Sequence, residues 1–158
     1  AACWLEILKR NKPAGILLSR QNLPVLPANA EGVAKGAYAV KAVSNPRVSI
    51  IATGSEVSVA LKAAEKLEAD GISTQVVSAP CLEWLSEQPS SYRESLLPKS
   101  ALKVSIEAGI AQGWREYVGD NGVIISLDHF GASASAGKLF EEFGFSADAV
   151  VAKIKAGL

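Results

Sequence analysis

Apolar and polar positions follow two alternating periods along most of the chain, which is the pattern of strands and helices in turn. Short runs rich in β-branched residues predict strands at 37–43, 47–53, 74–79, 102–106 and 123–127. Segments with one apolar face predict helices at 55–69, 82–88, 92–97, 114–118, 138–143 and 147–156. Strands that alternate with helices form sheets covered on both faces, so the sequence predicts an α/β fold, a three-layer α/β/α sandwich with a mostly parallel five-stranded sheet.

The first 35 residues follow a different pattern. Residues 1–10 predict an amphipathic helix that has no capping residue before it, and residues 13–18 predict a short buried strand. Residues 21–35 contain two prolines and a glycine without periodicity, which is typical of a linker. Because the chain opens inside a helix, we expect it to be a piece of a longer protein. The predicted division is the end of an upstream domain at 1–22, a linker at 23–35 and a complete domain at 36–158.

Composition narrows the classes of function. The 16 basic residues balance the 16 acidic residues and neither sign forms a block, so a nucleic-acid partner is not expected. No apolar stretch approaches the roughly twenty residues of a membrane span, so a membrane partner is not expected either. Cys3 and Cys81 are isolated, which is typical of reduced thiols in a cytoplasmic protein. We therefore expect a cytoplasmic location.

Arg20 is the strongest candidate for binding a ligand. It follows the predicted strand 13–18 and precedes a proline, so it should lie at the carboxyl end of that strand. Ligands bind at that edge of open α/β sheets, and a guanidinium group there suits a phosphate or a carboxylate. From its chemistry alone, Arg20 is about equally well interpreted as a structural residue that pairs with a carboxylate across a domain boundary. Ser19 and Gln21 are the nearest accessory residues.

The segment Thr53-Gly54-Ser55-Glu56 opens a predicted helix and allows two interpretations. A glycine turn at a helix start can bind an anion, and this position at the sheet edge is compatible with weak binding of an effector. Thr53 followed three residues later by Glu56 is also the pattern of a capping box. We favour the cap, because an acidic residue in the first turn repels phosphate.

Three other candidates favour structural roles. His129, the only histidine, has no visible nucleophile beside it and is expected to be a structural or surface residue. Gly119-Asp120-Asn121-Gly122 imitates a metal-diphosphate motif but leads into a strand, so a tight turn is favoured. For Glu107 we expect a buried acid pairing or a subunit boundary, with Trp114 and Tyr117 as candidate interface anchors.

Six segments together resemble the C-terminal region of the transketolase family, in that family's order and spacing. They are SRQNLP at 19–24, IATGSEV at 51–57, VSAPC at 77–81, YRESLLP at 92–98, SIEAG at 105–109 and FGASA at 130–134. The resemblance implies that residues 1–22 end a pyrimidine-binding domain and that 36–158 form the transketolase C-terminal domain. It also implies that Arg20 binds the substrate phosphate, and it assigns no catalytic, cofactor-binding or metal-binding residue to this chain.

The resemblance implies an activity for the longer protein. Such enzymes transfer a two-carbon ketol unit between phosphorylated ketose and aldose sugars, as homodimers, using thiamine diphosphate with Mg²⁺ or Ca²⁺. The residues that hold and activate this cofactor in the family have no counterpart here, so the chain alone is expected to bind none and to be inactive, with a structural or oligomerisation role. A separate non-catalytic regulatory or assembly subunit is the alternative, and dihydroxyacetone synthase is a close relative that the motifs do not separate.

Overall fold

The computed structural model describes residues 1–27 and 29–158. Its strands are β1 (Tyr38–Lys41), β2 (Val48–Ala52), β3 (Thr74–Ser78), β4 (Leu102–Ile106) and β5 (Val123–Ile125). Its helices are α1 (Ala2–Arg10), α2 (Ala30–Ala34), α3 (Glu56–Ala69), α4 (Leu82–Ser86), α5 (Ser90–Leu96), α6 (Trp114–Val118), α7 (Ala136–Glu142) and α8 (Ala147–Ala156). No helix in this described part is long and apolar enough to cross a membrane.

The strands form one five-stranded sheet in the order β1-β3-β2-β4-β5. β2 pairs in parallel with β3 and β4, β4 pairs in parallel with β5, and β1 is an antiparallel edge strand. Every residue of β2 is buried, as its apolar sequence VSIIA requires of a strand that is covered on both faces. The order of the chain reverses between β2 and β4, which makes the gap outside their carboxyl ends the topological switch point.

Two apolar cores lie on opposite faces of the sheet and confirm the three-layer prediction. On one face, α3 and α8 pack through side chains that include Leu67 and Ile154, with Phe145 fully enclosed between them and the sheet. On the other face, Leu85 of α4 and Trp114 of α6 pack beside the end of α5. The helices of these two cores cover the sheet with their apolar faces, because burial of such a face is what drives short helices to form.

Buried polar side chains fix α5 to the second face of the sheet. Ser49 Oγ donates to the carbonyl of Leu96 at 2.7 Å, and Gln75 Nε2 donates to the same carbonyl at 2.8 Å. Tyr92 donates its hydroxyl to the carbonyl of Ala37 at 2.7 Å. These bonds satisfy polar groups that would otherwise be costly inside the core, and they set the position of α5.

The prediction of a strand at residues 13–18 is wrong. These residues form no strand, and Leu17 and Leu18 are 95% and 84% exposed. The reason is that a strand needs a neighbour for its hydrogen bonds, and no other strand in the described residues lies beside this segment.

The segment predicted to be a linker contains α2, which Asn29 caps by accepting a bond from the Gly32 amide at 2.8 Å. The domain division at 1–22, 23–35 and 36–158 stays a prediction.

Candidate functional site

Arg20 lies in an exposed, irregular segment rather than at the end of a strand. Its guanidinium group makes no hydrogen bond or ion pair with any described residue, so no carboxylate in that part of the chain accounts for it. Ser19 Oγ lies 3.9 Å from the position that a Cβ would occupy on Gly54, and Gln21 is half-buried. The Arg20 segment therefore lies beside the carboxyl end of β2.

The turn after β2 is joined to the turn after β4. Thr53 follows β2 and Glu107 follows β4, and the Thr53 hydroxyl donates to the Glu107 carboxylate. The predicted capping box is therefore wrong, because the neighbouring strand brings a carboxylate to the threonine. Ser55 occupies the N-cap position of α3 without a side-chain capping bond, while the Glu56 amide donates to the Thr53 carbonyl at 3.1 Å.

Glu56 places a buried carboxyl group in this turn. Its side chain accepts a bond from Ser55 Oγ at 3.1 Å, and the residue is only 5% exposed. Burial raises the pKa of Glu56 above its ordinary value, and the nearby Glu107 carboxylate adds to the rise. The Glu56 side chain and the nearby Glu107 carboxylate oppose the binding of an anion at the start of α3. Glu107 is half-buried and accepts its bond from a hydroxyl, so the buried acid pairing and the subunit boundary expected for it both stay predictions.

A cavity of about 540 Å³ opens at the switch point between the carboxyl ends of β2 and β4. Thr53 and Glu107 form one wall, and Glu83 and Glu116 add further carboxylates. No lysine or arginine lines this cavity, so its chemistry does not suit a phosphate group. The weak effector site expected at this edge stays a prediction.

Trp114 and Tyr117 are packing residues of this chain. Trp114 is 4% exposed within the second core, so it is wrong as an anchor for another subunit. Its ring meets that of Tyr117 in an edge-to-face contact with centroids 6.0 Å apart, and the Tyr117 hydroxyl donates to the Leu82 carbonyl at 3.3 Å. Sequence alone marked both as large aromatic residues after a strand, but only the packing of α6 against the sheet decides that Trp114 points inward.

His129 is a surface residue, as the sequence predicted. Its Nδ1 atom lies 2.7 Å from the Phe130 carbonyl oxygen, and the edge of its ring meets Phe143 with centroids 4.9 Å apart. No nucleophile contacts it among the described residues. A role in proton transfer is therefore not supported.

The segment 119–122 forms a turn between α6 and β5, as predicted. Arg115 Nη1 donates to the carbonyls of Gly119 at 3.0 Å and Asp120 at 3.1 Å, so the turn's oxygens face a cation that belongs to the protein. The described residues contain no group of three His, Cys, Asp or Glu side chains that could hold a metal ion. The turn at 119–122 therefore does not fit the divalent cation that accompanies thiamine diphosphate.

Sequence reasoning missed the bond between Thr53 and Glu107, although a signal for it exists. Each residue directly follows a strand, and neighbouring parallel strands bring their carboxyl ends together. The strands could be predicted, but their order in the sheet could not. Sequence patterns therefore identified both residues but not the contact between them.

Comparisons with known proteins agree on one family. The family model for the transketolase-like TK C-terminal domain matches residues 36–146. The transketolase of Mycobacterium leprae (strain TN) is 48% identical over 163 residues, covering 96% of this chain and 23% of that protein. The chain therefore spans less than a quarter of that relative's length.

Two solved structures extend the comparison to the fold. Transketolase from Pichia stipitis in complex with sedoheptulose 7-phosphate has a TM-score of 0.82 and 34% identity, over 87% of this chain and 20% of that one. A split gene transketolase, described as an inactive β4 tetramer, has a TM-score of 0.68 and 21% identity, over 88% of this chain and 48% of that one, and so shares the fold alone. With the family model matching most of its length, the chain belongs to the transketolase family, in the region of the transketolase C-terminal domain.

Proposed function

We propose that the protein to which this chain belongs transfers a two-carbon ketol unit between phosphorylated ketose and aldose sugars, and that Arg20 binds the phosphate of the sugar. The observation that carries the proposal is the Arg20 side chain itself. It is exposed beside the carboxyl end of β2 and is paired with no carboxylate in the described residues, in a chain of this family. An unpaired guanidinium binds a phosphate dianion through charge-assisted hydrogen bonds and so orients the sugar.

The remaining parts of the proposal concern the whole enzyme. Thiamine diphosphate and Mg²⁺ or Ca²⁺ supply the electron sink when bound, and we propose that parts of the protein other than these 158 residues hold them, in a cytoplasmic homodimer. The chain alone is then inactive and contributes structure and assembly. Calorimetry of thiamine diphosphate with Mg²⁺ against the isolated chain checks this, with no stoichiometric binding as the expected result.

Substitution of Arg20 in the full-length enzyme tests the substrate role. We expect Arg20→Ala to lower kcat/KM for a phosphorylated acceptor about ten- to a hundredfold, while an unphosphorylated acceptor is affected little, because only the former loses charge-assisted bonds. Arg20→Lys should recover part of the loss, since an ammonium group keeps the charge without the planar fork. The measurement is the ratio of kcat/KM for the two acceptors.

Arg47→Ala is the matched control. Arg47 is exposed and immediately precedes β2, so it lies at the opposite end of the sheet, and its substitution also removes one guanidinium group. Equal losses for both acceptors with Arg20→Ala, together with a lower melting temperature, would show a structural arginine instead. If Arg47→Ala changes the ratio of kcat/KM for the two acceptors as strongly as Arg20→Ala does, the effect comes from the overall charge of the protein rather than from Arg20.

The alternative is a separate non-catalytic regulatory or assembly subunit. The split gene transketolase, whose fold this chain shares, gives that alternative a structural precedent in the form of an inactive β4 tetramer. The mass of the protein isolated from its cells separates the two. A full-length chain supports the enzyme, and a chain of about this size with a stable partner supports the subunit.

A further inference from the structure

A second cavity, of about 190 Å³, lies beside the second core, between α5, the start of β4 and α6. It shares no residue with the Arg20 segment or with the turn after β2. Basic side chains contribute most of its charge. The charged residues that line it are Arg93, Lys99, Lys103, Glu94 and Glu116.

Arg93 is the unusual member of this set. Its Nε atom is sealed from solvent and has no hydrogen-bond partner among the described residues, while the residue as a whole is half-buried. A donor that loses water without gaining an acceptor costs free energy, so nearly all such groups in proteins have a partner. An acceptor bound in the cavity would remove this cost.

The charges around Arg93 leave a net positive site. Lys99 Nζ pairs with Glu94 Oε1 at 3.0 Å, so these two side chains balance each other. Lys103, at the start of β4, is half-buried and has no carboxylate within ion-pair distance among the described residues. Glu116 is exposed and is the one carboxylate lining the cavity that forms no ion pair with a described residue. Two cations thus face one carboxylate, and the cavity favours an anion.

The cationic groups that line the cavity define the kind of anion that it favours. The planar fork of a guanidinium group matches two phosphate oxygens, and an ammonium group nearby adds charge without a fixed direction.

We propose that this cavity binds the phosphate group of a small anion, with Arg93 as the directional donor and Lys103 as the second cation. The site is independent of the proposed catalytic function, because it lies apart from Arg20 and uses residues of 36–158 only. Inorganic phosphate and a small phosphomonoester share this chemistry.

Nuclear magnetic resonance of the arginine Nε–H groups tests the site directly in the full chain. Inorganic phosphate should shift the Arg93 signal, identified by its absence in Arg93→Lys, with a saturable Kd on the order of 1–10 mM, whereas chloride at equal ionic strength should not. Glycerol 3-phosphate in a parallel titration separates the sources: tighter binding of the ester indicates a phosphomonoester ligand, and equal or weaker binding indicates phosphate itself. A linear response, or an equal response to chloride, overturns the proposal.

Two charge variants make the test specific. Arg93→Gln should weaken phosphate binding about tenfold, read from the phosphorus resonance, because it removes a charge-assisted donor. Glu116→Gln should tighten binding, because it removes the opposing charge. Lys62→Gln and Glu65→Gln, on exposed positions of α3, make the same charge changes elsewhere and should leave Kd unchanged.

Folding of the variants is checked by thermal unfolding, and Lys103→Gln replaces Arg93→Gln if the latter does not fold. The proposal fails if the α3 variants change Kd as much as the cavity variants do. It also fails if Glu116→Gln weakens phosphate binding, since the Glu116 carboxylate would then stabilise the bound anion instead of repelling it.

Discussion

At the scale of single residues, Glu56 shows how the fold changes the chemistry of a side chain. Its sequence position suggests an ordinary acidic residue in the first turn of a helix. The structure buries it beside the Glu107 carboxylate, and burial first, then that neighbouring charge, raises its pKa. The folded state therefore binds the Glu56 proton more tightly than the unfolded state does, and stability depends on pH through this group.

We predict that Glu56→Gln gains stability relative to the unsubstituted chain as pH rises. A raised pKa in the folded state gives a contribution that is fully present below the ordinary value of 4.5 and is lost as pH rises through the raised value. Glutamine stays neutral and loses nothing over that interval. The difference in melting temperature, variant minus unsubstituted chain, should therefore increase from pH 4.5 upward.

Glu65→Gln is the control for this prediction, because Glu65 is an exposed residue on the same helix. A melting-temperature difference for Glu56→Gln that stays constant with pH, or that follows the Glu65→Gln curve, would contradict the raised pKa.

At the scale of elements, one arginine attaches α1 to the rest of the molecule. Arg10 Nη1 donates to Glu87 Oε2 at 2.8 Å, Nη2 donates to the Ala34 carbonyl at 3.2 Å, and the guanidinium group lies 4.2 Å from the centroid of the Trp84 ring. No residue of α1 is fully buried, although Cys3 and Ile7 are half-buried and the helix lies against α2. The charged and aromatic contacts of Arg10 hold the C-terminal end of this helix.

We predict that Arg10→Ala releases α1 while the domain at 36–158 keeps its melting temperature. Loss of the cation–π contact and of the charged hydrogen bond should lower the local opening free energy by about 1–2 kcal/mol, or about five- to thirtyfold in amide exchange rate. Hydrogen exchange across α1 measures the effect.

Lys9→Ala provides the comparison, since the neighbouring Lys9 side chain pairs with Glu6 at 3.7 Å and with no other carboxylate among the described residues. Unchanged exchange in α1 after Arg10→Ala would mean that other contacts hold the helix. A matching fall in the melting temperature of the whole chain would mean that α1 is part of the same cooperative unit.

At the scale of the whole molecule, both apolar cores draw their buried residues from Ala37 onward. The five strands and the helices that cover both faces of the sheet also lie after that point. The first 22 residues add α1 and an exposed irregular segment. A domain folds alone when it holds its own core, and this requirement is met without those residues.

We predict that deletion of residues 1–22 leaves a chain that unfolds in a single cooperative transition. Leu26, which packs against the first core, is retained in the shortened chain. Denaturant unfolding followed by circular dichroism and by fluorescence should give coincident curves with a slope near that of the full chain. Loss of cooperativity would show that the domain boundary lies earlier than residue 23.

Much of the fold could be predicted because the alternation of apolar runs and amphipathic segments is a local property of the chain. The segments at 102–106, 114–118 and 147–156 agree with β4, α6 and α8 at both ends. The parallel sheet also followed, since strands separated by helices have few other arrangements. Arg20 as a ligand-binding candidate came from the same local reading, and its role stays a prediction.

Tertiary structure decided the features that depend on which elements lie side by side, namely strand pairing and the contacts between distant residues. An apolar run such as 13–18 becomes a strand only when another strand supplies its hydrogen bonds, and none in the described residues does. Thr53 meets Glu107 across 54 positions, and Arg10 meets Glu87 across 77, because the chain order of the sheet and the docking of α1 bring them together. Local patterns determine the elements, since hydrophobic periodicity and residue propensity act within one helix or strand. Contacts, burial and pKa shifts arise only when distant elements pack and exclude water between them.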